Sequence, residues 1–206
     1  MRRFDPIGIF SGSYGAGNKT MKNKGVTLIE MLAAVAIFAI TVGAISGTFI
    51  SAIRSQRRVL ATQELLDQTS YVLEYMGRAL RMAKKDTAGS CLTTCGAGCN
   101  YENPGGNVSQ IKFLKHDIET DTDICYWFFL ENNQIKESKN GALPGVVLTS
   151  AKLTVNSLKF NLSGESGSDT LQPRVTIFLK ILGRGTTERP EIQIQTSISQ
   201  RPLDVP

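Results

Sequence analysis

A run of 23 uncharged residues, from Met31 to Ile53, constrains the fold of this 206-residue chain more than any other feature. As a helix the run would be about 35 Å long, and about 20 apolar residues suffice to cross a membrane core. The sequence therefore predicts a membrane-spanning helix over residues 26–53. Charge does not orient it, because three lysines precede the run and three arginines follow it: Lys19, Lys22, Lys24, Arg54, Arg57 and Arg58.

Glu30 lies immediately before this run, six residues after Lys24. An acidic side chain that enters a membrane core costs on the order of 1–3 kcal/mol, so Glu30 indicates a functional site whose partner must be found. One alternative is a plain signal anchor with Glu30 at the level of the headgroups. Another is a secretory signal peptide cut near Ala44-Ile45-Ser46, although its apolar region would exceed the usual range of about 7–15 residues.

The residues around Glu30 resemble the leader junction of type IV prepilins, which bacterial pilins share with type II secretion pseudopilins. They read Lys22-Asn23-Lys24-Gly25-Val26-Thr27-Leu28-Ile29-Glu30. The resemblance is close from about Lys22 to Ile53 and only general beyond. It implies that a prepilin peptidase cuts after Gly25 on the cytoplasmic side and that the new amine of Val26 is methylated. It also implies that Glu30 pairs with the terminal amine of a neighbouring subunit, so that each buried charge meets its opposite.

Val26 departs from the family, in which the first mature residue is usually Phe, and this affects the expected methylation more than the cleavage. A helical turn also brings Val26 and Glu30 of one chain together, which leaves an internal pair as an alternative. The resemblance implies four kinds of partner. They are other pilin or pseudopilin subunits, the prepilin peptidase and methylase, the lipid of the bacterial inner membrane, and the assembly platform in that membrane. It also implies that the C-terminal domain lies outside the cytoplasm.

The predicted leader, residues 1–25, carries most of the net charge. The chain has 23 Lys and Arg against 18 Asp and Glu, a net charge of +5. Without the leader, 18 basic and 17 acidic residues remain, a net charge of +1. The composition therefore does not favour a nucleic-acid partner. Residues 1–20 show no amphipathic period and are interpreted as disordered or as an upstream mis-start. The mis-start is favoured, because translation from Met21 would give a compact leader.

Beyond the span, apolar residues at steps of three and four predict an amphipathic helix over residues 54–85. Its predicted face consists of Val59, Thr62, Leu66, Thr69, Leu73, Met76, Leu80 and Ala83, widened by Leu65 and Val72. No proline occurs between Val26 and Lys85, so span and amphipathic part are predicted to form one helix. Packing onto a sheet of the same chain is favoured over a coiled coil, because two of the four d positions are Thr.

The predicted head, residues 86–206, begins with a loop over residues 86–107 and continues with strands. The predicted strands are Val108–Leu114, Ile124–Leu130, Gln134–Ser138, Lys152–Leu162, Arg174–Leu182 and 192–199. Glu131-Asn132-Asn133 predicts a hairpin, and the apolar alternation slips around Asn156-Ser157, as at a bulge. The fold class is therefore α+β, with the back half of the long N-terminal helix packed on an antiparallel sheet.

Four cysteines lie in the part expected to face an oxidising envelope: Cys91, Cys95, Cys99 and Cys125. Two disulfides are favoured, with three possible pairings that the sequence cannot rank. A bridge to Cys125 would fix the predicted loop to a strand. A metal site is the alternative, but the spacing lacks the paired Cys-x2-Cys arrangement of common zinc sites.

A short acidic segment suggests calcium as an alternative role. Its members alternate and would share one side of an extended chain: Asp117, Glu119, Asp121 and Asp123. The EF-hand pattern fails there, so a solvated acidic turn is favoured and no metal or other cofactor is predicted. The one histidine, His116, has no nucleophile in a readable grouping, so no enzymatic activity is predicted.

The sequence thus predicts a minor pilin or pseudopilin, most similar to the J- and W-type minor subunits, which passes from the inner membrane into a pilus or secretion pseudopilus fibre. One alternative is a subunit at the pilus tip that binds DNA, a surface or a secreted substrate. Its candidate basic residues are Lys136, Lys139, Lys152 and Lys159. The other alternative is a single-span envelope protein that never assembles.

Overall fold

A computed structural model of the chain describes residues 25–118, 120–166, 171–183 and 189–201. Within them, one helix, α1 (Leu28–Arg81), precedes eight strands. The strands are β1 (Ala83–Lys84), β2 (Gln110–Asp117), β3 (Thr122–Glu131), β4 (Gln134–Lys139), β5 (Val146–Val147), β6 (Leu153–Ser163), β7 (Arg174–Gly183) and β8 (Glu191–Ser199). The predicted leader up to Lys24, with the alternative start at Met21, lies outside the described residues.

The chain divides into two compact units, and the boundary between Phe49 and Ile50 falls inside α1. In the first unit the chain is helical from Leu28 onward, and every described residue from Gly25 to Phe49 is exposed. The prediction of one continuous helix through the apolar run is confirmed.

The second unit contains two antiparallel sheets, whereas the sequence predicted one. The first has the strand order β1-β2-β3-β4-β5 and the second the order β6-β7-β8. The strand β6 pairs with β7 and is bonded to residues that flank the strands of the first sheet. The Phe160 N–H donates to the Val108 carbonyl at 2.7 Å, and the Val155 N–H donates to the Asn133 carbonyl at 2.9 Å. The first sheet therefore ends at the two-residue strand β5, and β6 starts a new one.

The two sheets and the back half of α1 enclose one hydrophobic core. The helix contributes Leu65, Thr69, Val72, Met76, Ala79 and Leu80. The predicted face, with the widening residues Leu65 and Val72, is confirmed at the six positions that are buried: Leu65, Thr69, Val72, Met76, Leu80 and Ala83. It was wrong at Val59 and Leu66, which are 52% and 42% exposed, so the buried face of α1 begins only at Leu65.

The end of α1 is fixed by hydrogen bonds from distant parts of the chain. The Tyr101 hydroxyl donates to the Leu80 carbonyl at 2.7 Å, and the Arg201 N–H donates to the Arg81 carbonyl at 2.8 Å. These donors satisfy carbonyls that a helix end leaves without partners. The helix therefore ends at Arg81 instead of continuing to about Lys85, and the chain enters β1.

Two local predictions of the sheet geometry are confirmed. Asn132 and Asn133 have φ of 51° and 60° between the paired residues Glu131 and Gln134, which is the backbone of a tight hairpin. The register of β6 against β7 shifts between Val155 and Ser157, as at a bulge. The strands β1 and β5 were not predicted, because two residues are too few to show a period.

Candidate functional site

In the described part of the first unit, three non-helical residues precede α1: Gly25, Val26 and Thr27. Thr27 caps α1: its Oγ1 accepts the Glu30 N–H at 3.4 Å, and its carbonyl accepts the Met31 N–H at 3.2 Å. The bond between Gly25 and Val26 therefore lies in exposed, non-helical chain directly before the cap, which is accessible to a peptidase.

Glu30 is exposed in the first turn of α1. Thr27 and Glu30 have the spacing of a capping box, of which the described residues form only the half in which Thr27 accepts the Glu30 N–H. A carboxylate in the first turn also interacts favourably with the helix dipole. The sequence analysis missed this local role, although the Thr-x-x-Glu spacing was the signal for it. Within the described part of the chain, the Glu30 carboxylate forms no ion pair.

The front part of α1, on both sides of Glu30, presents apolar side chains to its surroundings. Leu28, Ile29 and Ile40 are 80%, 76% and 73% exposed. The other large exposed apolar residues here are Met31, Leu32, Val35, Ile37, Phe38, Val42, Ile45, Phe49 and Ile50. By length and composition α1 can cross a membrane, a test that a signal sequence near the N-terminus would also pass.

Three hydroxyl groups of this apolar segment are satisfied inside the helix. The hydroxyls of Thr41, Ser46 and Thr48 each donate to a backbone carbonyl three or four residues earlier, at 2.8 Å. They therefore need no partner in lipid or in a packed fibre. Gly43 and Gly47 leave open space where a side chain would lie, which permits the close approach of another helix.

The cysteine loop, residues 86–103, is attached to the first sheet by a disulfide. Cys91 is joined to Cys125 on β3, 34 residues away, with 5.4 Å between their Cα atoms. Cys95 is joined to Cys99, only four residues away. Leu92 and Leu114 form a small apolar cluster with Cys91, Cys99 and Cys125, separate from the main core. The loop is thus a folded cover on the outer side of β2 and β3.

A buried carboxylate organises the cysteine loop. Asp86 has no exposed surface and accepts the backbone N–H groups of Ser90, Cys91 and Leu92 at 3.2, 2.8 and 2.9 Å. Burial opposes ionisation, but these N–H donors outweigh it and hold the pKa of Asp86 below its usual value. The sequence analysis missed Asp86, because an aspartate in a loop is usually exposed.

We expect Asp86→Asn to lower the free energy of unfolding by about 1–3 kcal/mol, because an amide NH2 would face N–H groups that need an acceptor. The stability that Asp86 contributes is present above its unfolded pKa, roughly 3.9, and is lost as the pH falls through the lower folded pKa. Urea unfolding of both proteins between pH 7 and pH 2 measures this. The wild type should lose its advantage over the variant below about pH 4, and a constant difference across that range would contradict the prediction.

The acidic segment does not gather its carboxylates around one point. Asp123 accepts from Lys84 Nζ at 2.9 Å and lies 2.9 Å from His116 Nδ1, and Lys84 and His116 lower its pKa. Asp121 lies 3.4 Å from His116 Nε2, while Glu119 is outside the described residues. In the part of the chain that the structure describes, no three His, Cys, Asp or Glu side chains are grouped to hold a metal ion.

The four lysines proposed as a binding footprint are not brought together. Lys136 pairs with Glu131 within the first sheet, and Lys152 pairs with Glu64 of α1 at 2.7 Å. Lys139 lies 5.1 Å from the centre of the Tyr126 ring. Lys159 lies apart from them, on the outer face of the second sheet. Most of these charges are already engaged inside the chain, which weakens the case for a nucleic-acid surface.

One comparison with known proteins gives a match, and it covers the N-terminal part of the chain. Residues 20–46 match the family model described as the prokaryotic N-terminal methylation motif, which is characteristic of type IV pilins and pseudopilins. The matched stretch contains Gly25, Val26 and Glu30. No curated protein and no solved structure matches the chain significantly.

The chain thus combines a prepilin-type methylation motif at residues 20–46 with a long apolar N-terminal helix and antiparallel sheets. This combination is similar to that of type IV pilins and pseudopilins.

Proposed function

We propose that this chain is a minor pilin or pseudopilin, a structural and not a catalytic subunit, which is stored in the bacterial inner membrane and assembled into a fibre. The observation that carries the proposal is the exposed apolar front part of α1, which begins at Leu28 inside the matched methylation motif at residues 20–46. Such a surface needs lipid around it before assembly and neighbouring helices around it afterwards. The C-terminal head faces the oxidising side of the membrane, where disulfides persist.

Cleavage after Gly25 would create a positively charged N-terminal amine, with which Glu30 can pair. The new amine of Val26 is positive at neutral pH and remains so after methylation. In the fibre, Glu30 of one subunit pairs with this amine of a neighbour, so that neither charge is buried alone. The cap supports this role, because Thr27 uses the Glu30 N–H and leaves the carboxylate free. The pair then sets the axial register between subunits.

Processing at Gly25 is tested by the intact mass of the protein from a host that contains a prepilin peptidase. We expect a chain that begins at Val26, with or without one added methyl group. A host without the peptidase is the matched control and should give the uncut chain. A chain that keeps the leader in both hosts would contradict the proposal and favour a signal anchor. A chain that begins after Ser46 would indicate a secreted soluble domain.

A further inference from the structure

The two disulfides of the cysteine loop differ in how far they are covered. Cys91 is buried in the small apolar cluster, and its partner Cys125 is half-buried against the same cluster. Cys95, by contrast, is exposed, while its partner Cys99 is buried in that cluster. The second bridge therefore joins an accessible residue to a covered one, whereas neither end of the first bridge is exposed.

The tip of the loop around Cys95 leaves room for a second molecule. Thr93, Thr94 and Ala97 are exposed together with Cys95, and Cys95 also lines an open cavity that has residues of β6 in its opposite wall. A thiol that exchanges with a disulfide must reach one of the two sulfurs, so access decides which sulfur it attacks. In this bridge the accessible end is Cys95.

The buried end of the bridge is held by contacts that do not involve sulfur. The Asp86 N–H donates to the Cys99 carbonyl at 2.9 Å, and the Gly98 N–H donates to the Asp86 carbonyl at 2.7 Å. The buried carboxylate of Asp86 also holds the next part of the loop, through the N–H groups described above. Cys99 therefore keeps its buried position when the bridge opens.

The exposed end is held less firmly. The Cys95 N–H donates to Oε2 of the buried Glu102 at 3.4 Å, which is long for such a bond, and the Thr94 N–H donates to the same oxygen at 2.7 Å. Between the two cysteines, Gly96 and Gly98 have φ of 83° and 95°, a turn that glycine adopts without strain. The tip of the loop can therefore move while the sheets stay folded.

We propose that the Cys95–Cys99 bridge is a thiol-exchange site, at which a dithiol of the oxidoreductase class opens the tip of the cysteine loop. The attacking thiolate bonds to Cys95 Sγ, the bond between Cys95 and Cys99 breaks, and Cys99 Sγ keeps the electron pair and takes a proton. The second thiol of the reductant then displaces Cys95, which also takes a proton. Two electrons pass to the protein, and the dithiol becomes a disulfide.

The surroundings of Cys99 keep this exchange from spreading to the other bridge. After the opening, the Cys99 thiol lies in the same apolar cluster as Cys91 and Cys125. A thiol in apolar surroundings ionises less readily and is a weak nucleophile. The opening is therefore local and reversible. It goes beyond the proposed fibre function and does not depend on cleavage at Gly25.

The first test follows the order in which the two bridges open. The oxidised full chain in detergent is treated with dithiothreitol at neutral pH, and samples are stopped at intervals with excess N-ethylmaleimide in urea. Peptide mass spectrometry then locates the labels. We expect Cys95 and Cys99 to become labelled at least about 100-fold faster than Cys91 and Cys125, because attack on the covered bridge requires local unfolding. Equal rates, or earlier opening of Cys91–Cys125, would overturn the proposal.

Two single substitutions test which end is accessible. Cys99→Ala leaves the Cys95 thiol alone, and Cys95→Ala leaves the Cys99 thiol alone, so each variant is the control for the other. We expect the Cys95 thiol to react with the disulfide reagent DTNB at least about 100-fold faster than the Cys99 thiol in the folded protein. In urea the two rates should be similar. Equal rates in the folded protein, or a faster Cys99, would rule out attack at Cys95.

Hydrogen exchange tests whether the opening stays local. The variant Cys95→Ala with Cys99→Ala mimics the opened bridge. We expect its Thr94 N–H to exchange at least about 10-fold faster than in the wild type, whereas the N–H groups of Cys91 and Leu92, which Asp86 accepts, should keep their rates. Faster exchange at all three positions would mean that the whole loop detaches, and would contradict a local opening.

Discussion

We expect Glu30→Ala to leave cleavage after Gly25 intact and to lower incorporation into fibres about 100-fold or more. The peptidase acts before Glu30 is buried, so the substitution does not disturb its substrate. In the fibre, however, the amine of a neighbour would be left in apolar surroundings without its counter-charge, at a cost of about 3–5 kcal/mol. Quantitative mass spectrometry of purified fibres against inner membranes, normalised to the processed chain, measures the ratio.

Two amide substitutions separate the charge of Glu30 from its position in the helix cap. Glutamine is accepted at the third position of a capping box, so Glu30→Gln keeps the helix start and should lose assembly as Glu30→Ala does. Glu64→Gln makes the same exchange at an exposed site on α1 that pairs only with Lys152, and should assemble normally. Normal assembly of Glu30→Gln would refute the pairing role and leave capping as the function of Glu30.

The features that the sequence predicted correctly depend on residues close together in the chain. The strand β7 alternates Val175, Ile177, Leu179 and Ile181 on one face, and that face is buried. The Asn132-Asn133 turn and the slip near Asn156 are equally local. The methylation motif at residues 20–46 is local too, so it could be detected from the sequence without a structure.

The features that were missed depend on contacts between distant segments. The burial of α1 begins only at Leu65, and Val59 stays exposed, because the sheets and not the helix decide how much of the predicted face is covered. The separation into two sheets depends on which strands β6 pairs with. The alternation of apolar residues along β6 does not show this. Asp86 and Glu102 appeared to be ordinary loop acids, since only the folded cysteine loop supplies the N–H groups that they accept.

The cysteine pairing illustrates the same limit, because three pairings were open and the sequence could not rank them. In the structure, Cys91 and Cys125 come together because Leu92 and Leu114 form an apolar contact between the loop and β2. The disulfide then closes a long segment that has little regular structure of its own. The number of residues between the two cysteines determines how much the disulfide is expected to stabilise the fold.

We expect the double substitution Cys91→Ala and Cys125→Ala to lower the free energy of unfolding by about 4 kcal/mol, and Tm by about 10 °C. Chain entropy gives this value for a bridge across 34 residues of separation. The matched control, Cys95→Ala with Cys99→Ala, opens a bridge across only four residues and should cost about 2 kcal/mol. Urea unfolding of the full chain in detergent, without reductant, measures both losses.

The wild type must first contain both bridges, so titration of the denatured, unreduced protein should find no free thiols. Each double variant should likewise show none, because the remaining pair stays joined. A loss for the Cys95 and Cys99 variant that equals or exceeds the loss for the Cys91 and Cys125 variant would contradict the prediction. It would mean that the local turn, and not the attachment of the loop to β3, carries the stability of the cysteine loop. Asp86 and its N–H donors would then be the main attachment of the loop.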